Sequence, residues 1–95
     1  MPYLRVTRSR VDPSRVDEAN QVVQDLIADI RQLPGFQSIV IGGNRATGEA
    51  LAVTTFDTEE HARWTPDPNS DNASRLRAAG IQIDQPEFFE VTTPT

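Results

Sequence analysis

The feature that most limits what this chain can fold into lies between residues 16 and 33. Val16, Ala19, Val23, Leu26, Ile27, Ile30 and Leu33 recur at steps of three and four, and that spacing lines one face of a helix of about five turns or more. Asp17, Glu18, Gln24, Asp25 and Arg31 fall on the opposite, solvated side. Upstream, Asp12 offers a side-chain acceptor for a helix start, and Pro13 suits the first helical position. Pro34-Gly35 closes the helix, because Pro cannot continue it and Gly tolerates the reversal.

Strand signals surround this helix. Tyr3 to Arg8 alternates apolar and polar positions, the period of a strand with one buried face. Phe36 to Ile41 is dense in β-branched residues, and Ala50 to Phe56 forms its antiparallel partner across the turn Asn44-Arg45-Ala46-Thr47-Gly48. Asn and Gly stand in that turn where positive φ is expected. Gly42-Gly43 lacks the Lys and following helix of a phosphate loop, and reads as a bulge or bend near the strand end. A second helix opens with Thr58 or Asp57 as cap and Glu59 and Glu60 in its first turn. Pro66 and Pro68 break it, a polar loop runs from Thr65 to Asn72, and helix resumes over Ala73 to Ala79 before Gly80 stops it. The tail from Ile81 to Val91 carries the last strand, with Pro86 confining the ladder to one side.

The order is β-α-β-β-α-β, the ferredoxin-like split βαβ unit of the α+β class, with an antiparallel sheet holding both helices on one face. At 95 residues the chain has room for one domain, 1–95, and the core of so short a domain is thin. The uncovered sheet face needs a partner, and a second copy closing two sheets into a dimeric α+β barrel is the expected source.

Charge and composition narrow the function. A net charge of -5 and a pI near 4.6, with arginines scattered among acids, argue against nucleic acid and against an anionic membrane surface. The absence of cysteine excludes disulfides, thiolate catalysis and cysteine-ligated metals. The start Met1-Pro2-Tyr3-Leu4-Arg5 has neither block of a signal peptide, and no apolar run approaches the roughly 20 residues of a membrane span, so the cytoplasm is the expected address. All nine basic residues are Arg, which reads as the codon bias of a GC-rich, bacterial genome. A small molecule or a protein is left as the partner.

Few residues could carry chemistry. His61 is the only histidine; it could serve as a general base, or be a solvated residue in the first turn of a helix. Trp64 lies one turn later and could share a helical face with His61, stacking on a flat ligand, or could be the core anchor of a short helix. Phe36, Phe56, Phe88 and Phe89 are most simply core or interface residues, with Phe88 and Phe89 on opposite sheet faces. The acids Glu59, Asp67 and Asp71 lack the spacing of a calcium loop, so neither a metal nor a cofactor is expected.

Val11-Asp12-Pro13, Leu33-Pro34-Gly35-Phe36, Arg45-Ala46-Thr47-Gly48 and Phe56-Asp57-Thr58-Glu59-Glu60 together resemble the antibiotic-biosynthesis-monooxygenase domain of the dimeric α/β barrel superfamily. The shared residues are caps, turns and a helix stop, so the resemblance implies fold more than activity. Cofactor-independent oxygenases of aromatic polyketides and haem-degrading oxygenases both occur in that family. Trp64 lies near the second-helix Trp of the haem-degrading branch, but Ala73, Ser74 and Arg75 stand where its His would fall, and Thr7 stands in the first-strand neighbourhood of its Asn. That departure argues against haem degradation. The resemblance implies a homodimeric barrel holding a small apolar or aromatic molecule, and a cofactor-independent monooxygenase of an aromatic or quinol-like substrate, with Trp64 and Phe56 shaping the pocket and His61 positioning or deprotonating the substrate. The alternative is a non-catalytic ligand-binding or accessory protein of the same fold.

Overall fold

The structure, a computed structural model, describes residues 1–93. Its centre is β1 (Tyr3–Arg10), which pairs antiparallel with β3 (Glu49–Phe56) from Tyr3↔Phe56 to Arg10↔Glu49. β2 (Phe36–Gly43) pairs with the outer edge of β3. The other edge of β1 carries two short strands, β4 (Gln82–Ile83) and β5 (Glu87–Glu90), giving the order β2-β3-β1-β4 with β5 also on β1. The expected single last strand is therefore split. Asp84 still donates its N–H to the Arg8 carbonyl at 2.9 Å, but Pro86 has no N–H to give, so the ladder breaks between the two pieces.

Helix α1 (Val16–Ile30) follows a 3-10 turn at Pro13–Arg15, in which the Asp12 carboxylate accepts the Ser14 N–H at 2.9 Å. Thus Asp12 caps as expected, but Pro13 opens the tighter turn and Leu33 lies beyond the helix end. α2 (Glu59–Ala62) is a single turn capped by Thr58, and α3 (Asp71–Ala78) starts two residues earlier than expected because Ser70 accepts the Ala73 N–H at 3.2 Å. The architecture is the expected ferredoxin-like α+β one. No helix among the described residues is long and apolar enough to cross a membrane.

Two local expectations are corrected. Gly42 and Gly43 pair regularly with Leu51 and Ala50, and the bulge lies instead between Phe36 and Ser38. In the β2–β3 turn only Gly48 takes positive φ (81°), and a Cβ there would also strike the Val11 carbonyl oxygen, so the position needs glycine on both counts. Asn44 contributes by its side chain, which accepts the Ala46 N–H at 2.9 Å.

The two sheet faces differ in side-chain size. By alternation from the register, Leu4, Val6, Leu51, Val53, Val40 and Phe89 share the face away from the helices. The helix-facing side carries small residues on its central strands, Thr7, Ser9, Ala50, Ala52 and Thr54, flanked by Ile39 and Ile41 on β2 and by Phe56 at the end of β3. Among the described residues only Ala19, Phe56, Ala62 and Ala79 of the apolar ones are buried, and Phe56 is the sole large side chain with no exposure. Its ring meets Phe36 edge-on, centroids 6.3 Å apart at 86°. Replacing Phe56 by Ala should cost about 3–5 kcal/mol, a large share of the roughly 5–15 kcal/mol that holds a small domain folded. The midpoint of urea unfolding measures this, and an unchanged midpoint would show that Phe56 is not the keystone of the packing.

Candidate functional site

Small residues on the sheet's inner side leave the aliphatic stripe of α1 without full cover. The result is a cavity of about 590 Å³ between α1, α3 and the sheet, within the usual range for small-molecule sites. α1 supplies Val23, Leu26, Ile27 and Ile30 to its wall, α3 supplies Ala73 and Leu76, and the sheet floor is Thr7, Ala50, Ala52 and Thr54. Among the described residues that line it there is no His and no Tyr, and its acids, Glu49 and Asp67, are both exposed.

One end of the cavity is polar, and its chemistry starts from β1. Arg5 stands opposite Thr54 in the register and is half-buried, its side chain running under the segment that follows α2. Its Nη1 donates to the carbonyl oxygens of Ala62 at 2.9 Å and Trp64 at 2.7 Å, which caps the C-terminal end of the one-turn helix with a cation. The guanidinium lies 4.8 Å from the Trp64 ring centroid and 5.6 Å from that of Phe88, so it also holds both rings by cation–π attraction. Burial with no carboxylate beside it pushes its pKa down from the usual guanidinium value.

Trp64 lines the cavity, and its indole Nε1–H is buried without an acceptor among the described residues. A buried Trp N–H normally finds a partner, so an unmet one calls for an explanation. Phe56 lies on the same sheet face at the end of β3, against Phe36, and does not line the cavity. His61 does not line it either. α2 ends at Ala62, so Trp64 is past the helix and does not share a helical face with His61. The imidazole instead donates Nδ1–H to the Asp57 carboxylate at 2.6 Å, packed against Gly35 so closely that a Cβ at Gly35 would strike both side chains. The i,i+4 spacing of Asp57 and His61 was the available signal for this pair. Arg5 was not singled out from the sequence; an Arg on the small-residue side of a central strand was the signal for it.

Among the described residues no cluster of three or more His, Asp or Glu could hold a metal ion. A scan against protein-family models and a search of curated proteins find no match. Solved structures do match. A protein from Deinococcus radiodurans, named by assignment as an antibiotic biosynthesis monooxygenase, superposes with a TM-score of 0.74 at 10% identity over 98% of this chain and 95% of its own. The chain has the fold of structures assigned as antibiotic biosynthesis monooxygenases. SnoaB of Streptomyces nogalater, a cofactor-independent oxygenase solved as an asparagine-to-alanine variant, gives 0.73 at 19% identity over 98% and 95% of the two chains. A Nitrosomonas europaea protein assigned to the same monooxygenase class gives 0.73 at 9% identity over 99% and 93%. At these identities the likeness is one of fold.

The hydrogen bond from His61, more than its charge, holds the Asp57 carboxyl below the usual carboxylate range. A depressed folded-state pKa means that the ionised carboxylate stabilises the fold above its unfolded pKa, and that this contribution is lost as pH falls through the folded one. Both side chains are solvent-accessible, so the effect is small. Asp57→Asn should flatten part of the acid limb of stability measured from about pH 7 to about pH 3, leaving the parts that come from Asp12, held by Ser14, and Glu18, held by Arg15. An acid limb identical to that of the parent would contradict this assignment.

Proposed function

We propose that this protein is a homodimer that binds a flat, apolar small molecule in the helix–sheet cavity of each protomer and oxygenates it without a cofactor. The carrying observation is the largely apolar cavity with the Trp64 side chain in its wall. An empty apolar volume of this size is costly to maintain unless something occupies it, and the Trp64 ring in its wall offers a flat apolar surface to such an occupant. The fold shared with a cofactor-independent oxygenase supports the reaction class.

In such a reaction the substrate is the reductant. An anthrone methylene becomes a carbonyl, one oxygen atom of O₂ enters that carbon, the other leaves as water, and the two methylene hydrogens go to that water. Substrates must therefore be electron-rich, as quinols and anthrones are.

Dimerisation is supported by surface area. A monomeric protein of this mass exposes roughly 5,400 Å², whereas this chain exposes 6314 Å². The excess is shared between the cavity and the open sheet face, where Val40 is 70% and Phe89 48% exposed. A second copy laid on that face would cover it, and native mass spectrometry reading only a one-chain mass would overturn this part.

A second reading, a binding protein with no catalysis, is favoured by the absence of any His or Tyr from the described cavity wall. Oxygen uptake with anthrone decides between them. The oxygenase reading expects uptake above the spontaneous rate, one O₂ per anthraquinone formed, lowered at least about tenfold in Trp64→Ala and unchanged in His61→Ala. Uptake at the protein-free rate would leave the binding reading standing alone.

A further inference from the structure

A ligand of the helix–sheet cavity proposed above needs a way in, and the part of the wall between Trp64 and Ala79 is the least firmly held. The two ends of that segment are fixed: the Trp64 carbonyl accepts from Arg5 at 2.7 Å, and Ala79 is 2% exposed. Between them Pro66, Pro68, Ala73 and Leu76 face the cavity, yet α3 has no buried residue. Its apolar side covers empty volume where another helix would meet packed core, so hydrophobic burial does little to keep it in place. Among the described residues no hydrogen bond joins 65–78 to the sheet.

What holds the segment is a row of polar contacts to α1 and to the turn before it. The Asn72 amide donates to Asp29 at 2.7 Å, Arg75 pairs with Asp25 at 2.5 Å, and Arg15, itself paired with Glu18, donates to the Ala78 carbonyl at 2.8 Å. Asp25 and Asp29 are four residues apart on α1, and Asn72 and Arg75 three apart on α3, so the two helices run antiparallel with these groups along one shared edge. Both partners of the Arg75–Asp25 pair are nearly half exposed, and a pair of that kind shifts an equilibrium by at most about fivefold and is weakened by salt. Arg77 donates to the Pro68 carbonyl at 3.1 Å, which ties the preceding loop to α3 so that the two move together. We propose that residues 65–78 are the lid of the cavity: the segment swings on Trp64 and Ala79 to admit the ligand, and its polar edge against α1 is the latch that closes it. A latch of exposed charges releases without disturbing the sheet beneath.

Native-state hydrogen exchange of the full chain tests the lid without any ligand. The hydrogen-bonded amides of α3 should exchange at least about tenfold faster than those of β1 and β3. Asp25→Asn takes the charge from the latch and leaves the apolar wall intact, so α3 should exchange about two- to fivefold faster again while the strands keep their rates. Asp17→Asn breaks the Arg45 pair, which lies outside the latch, and should leave α3 at the parent rate. Equal protection of α3 and the strands, or an Asp25→Asn effect shared by both, would overturn the lid alone. Stopped-flow binding of the neutral probe 2-(hydroxymethyl)anthraquinone ties opening to entry. Its association and dissociation rates should rise together in Asp25→Asn, with Kd held within about twofold. Rates that stay at their parent values while α3 exchanges faster would place entry elsewhere and overturn the proposal. A probe that does not bind at all would overturn the ligand reading and the role of the lid with it.

Discussion

The structure depends on a mismatch of side-chain sizes across one interface. α1 presents Val23, Leu26, Ile27 and Ile30, while the strands beneath present Thr7, Ala50, Ala52 and Thr54. Small residues there leave the space beneath the helix unfilled, so what would be core in another domain is a cavity. What solid packing exists is pushed to the margins. Phe56 and Phe36 form it at one end, and Ala19, Ala62 and Ala79 mark the close approaches of the helices. A domain with so little filled core gives up stability in exchange for an interior that can receive something.

Arg5 connects this interior to the rest of the fold. Its backbone lies in the central strand, paired with β3 on one side and β5 on the other, so its Cα is among the best-anchored positions in the sheet. From there one side chain caps α2, supports the Trp64 indole and the Phe88 ring, and reaches the cavity. Arg63 also covers Phe88, 4.3 Å from the ring centroid. The segment carrying Trp64, which has no regular secondary structure of its own, is thereby held by a rigid element.

The architecture was legible in the residues because its signals are local. The 3.6-residue period of α1, the Asp12, Thr58 and Ser70 acceptors and the Gly35 and Gly48 turns each act within a few residues. Trp64 was marked as a ligand-facing candidate by its spacing from His61 and by the family resemblance, and it lines the cavity. Phe56 and His61, marked in the same way, are placed elsewhere, because burial depth and the end of α2 at Ala62 are tertiary facts. The cavity itself was written in the alternation of β3, where Ala50, Ala52 and Thr54 interleave with Leu51, Val53 and Thr55. Alternation of apolar with polar shows a strand; alternation of small with large shows a strand with a void on one side, and the second pattern is visible only once the helix that crosses it is known. The Asp57–His61 pair and the uncommitted Arg5 likewise depend on which groups meet across the fold.

The central claim is that the helix–sheet cavity receives a flat apolar ligand against Trp64. The chain has one Trp, so its indole N–H gives a single, unambiguous cross-peak in a proton–nitrogen correlation spectrum. Titration with anthraquinone-2-carboxylate should shift that resonance to a saturating limit, as a ring bound against the Trp64 side chain changes its magnetic environment. A cross-peak that keeps its ligand-free position at saturating probe would contradict the account.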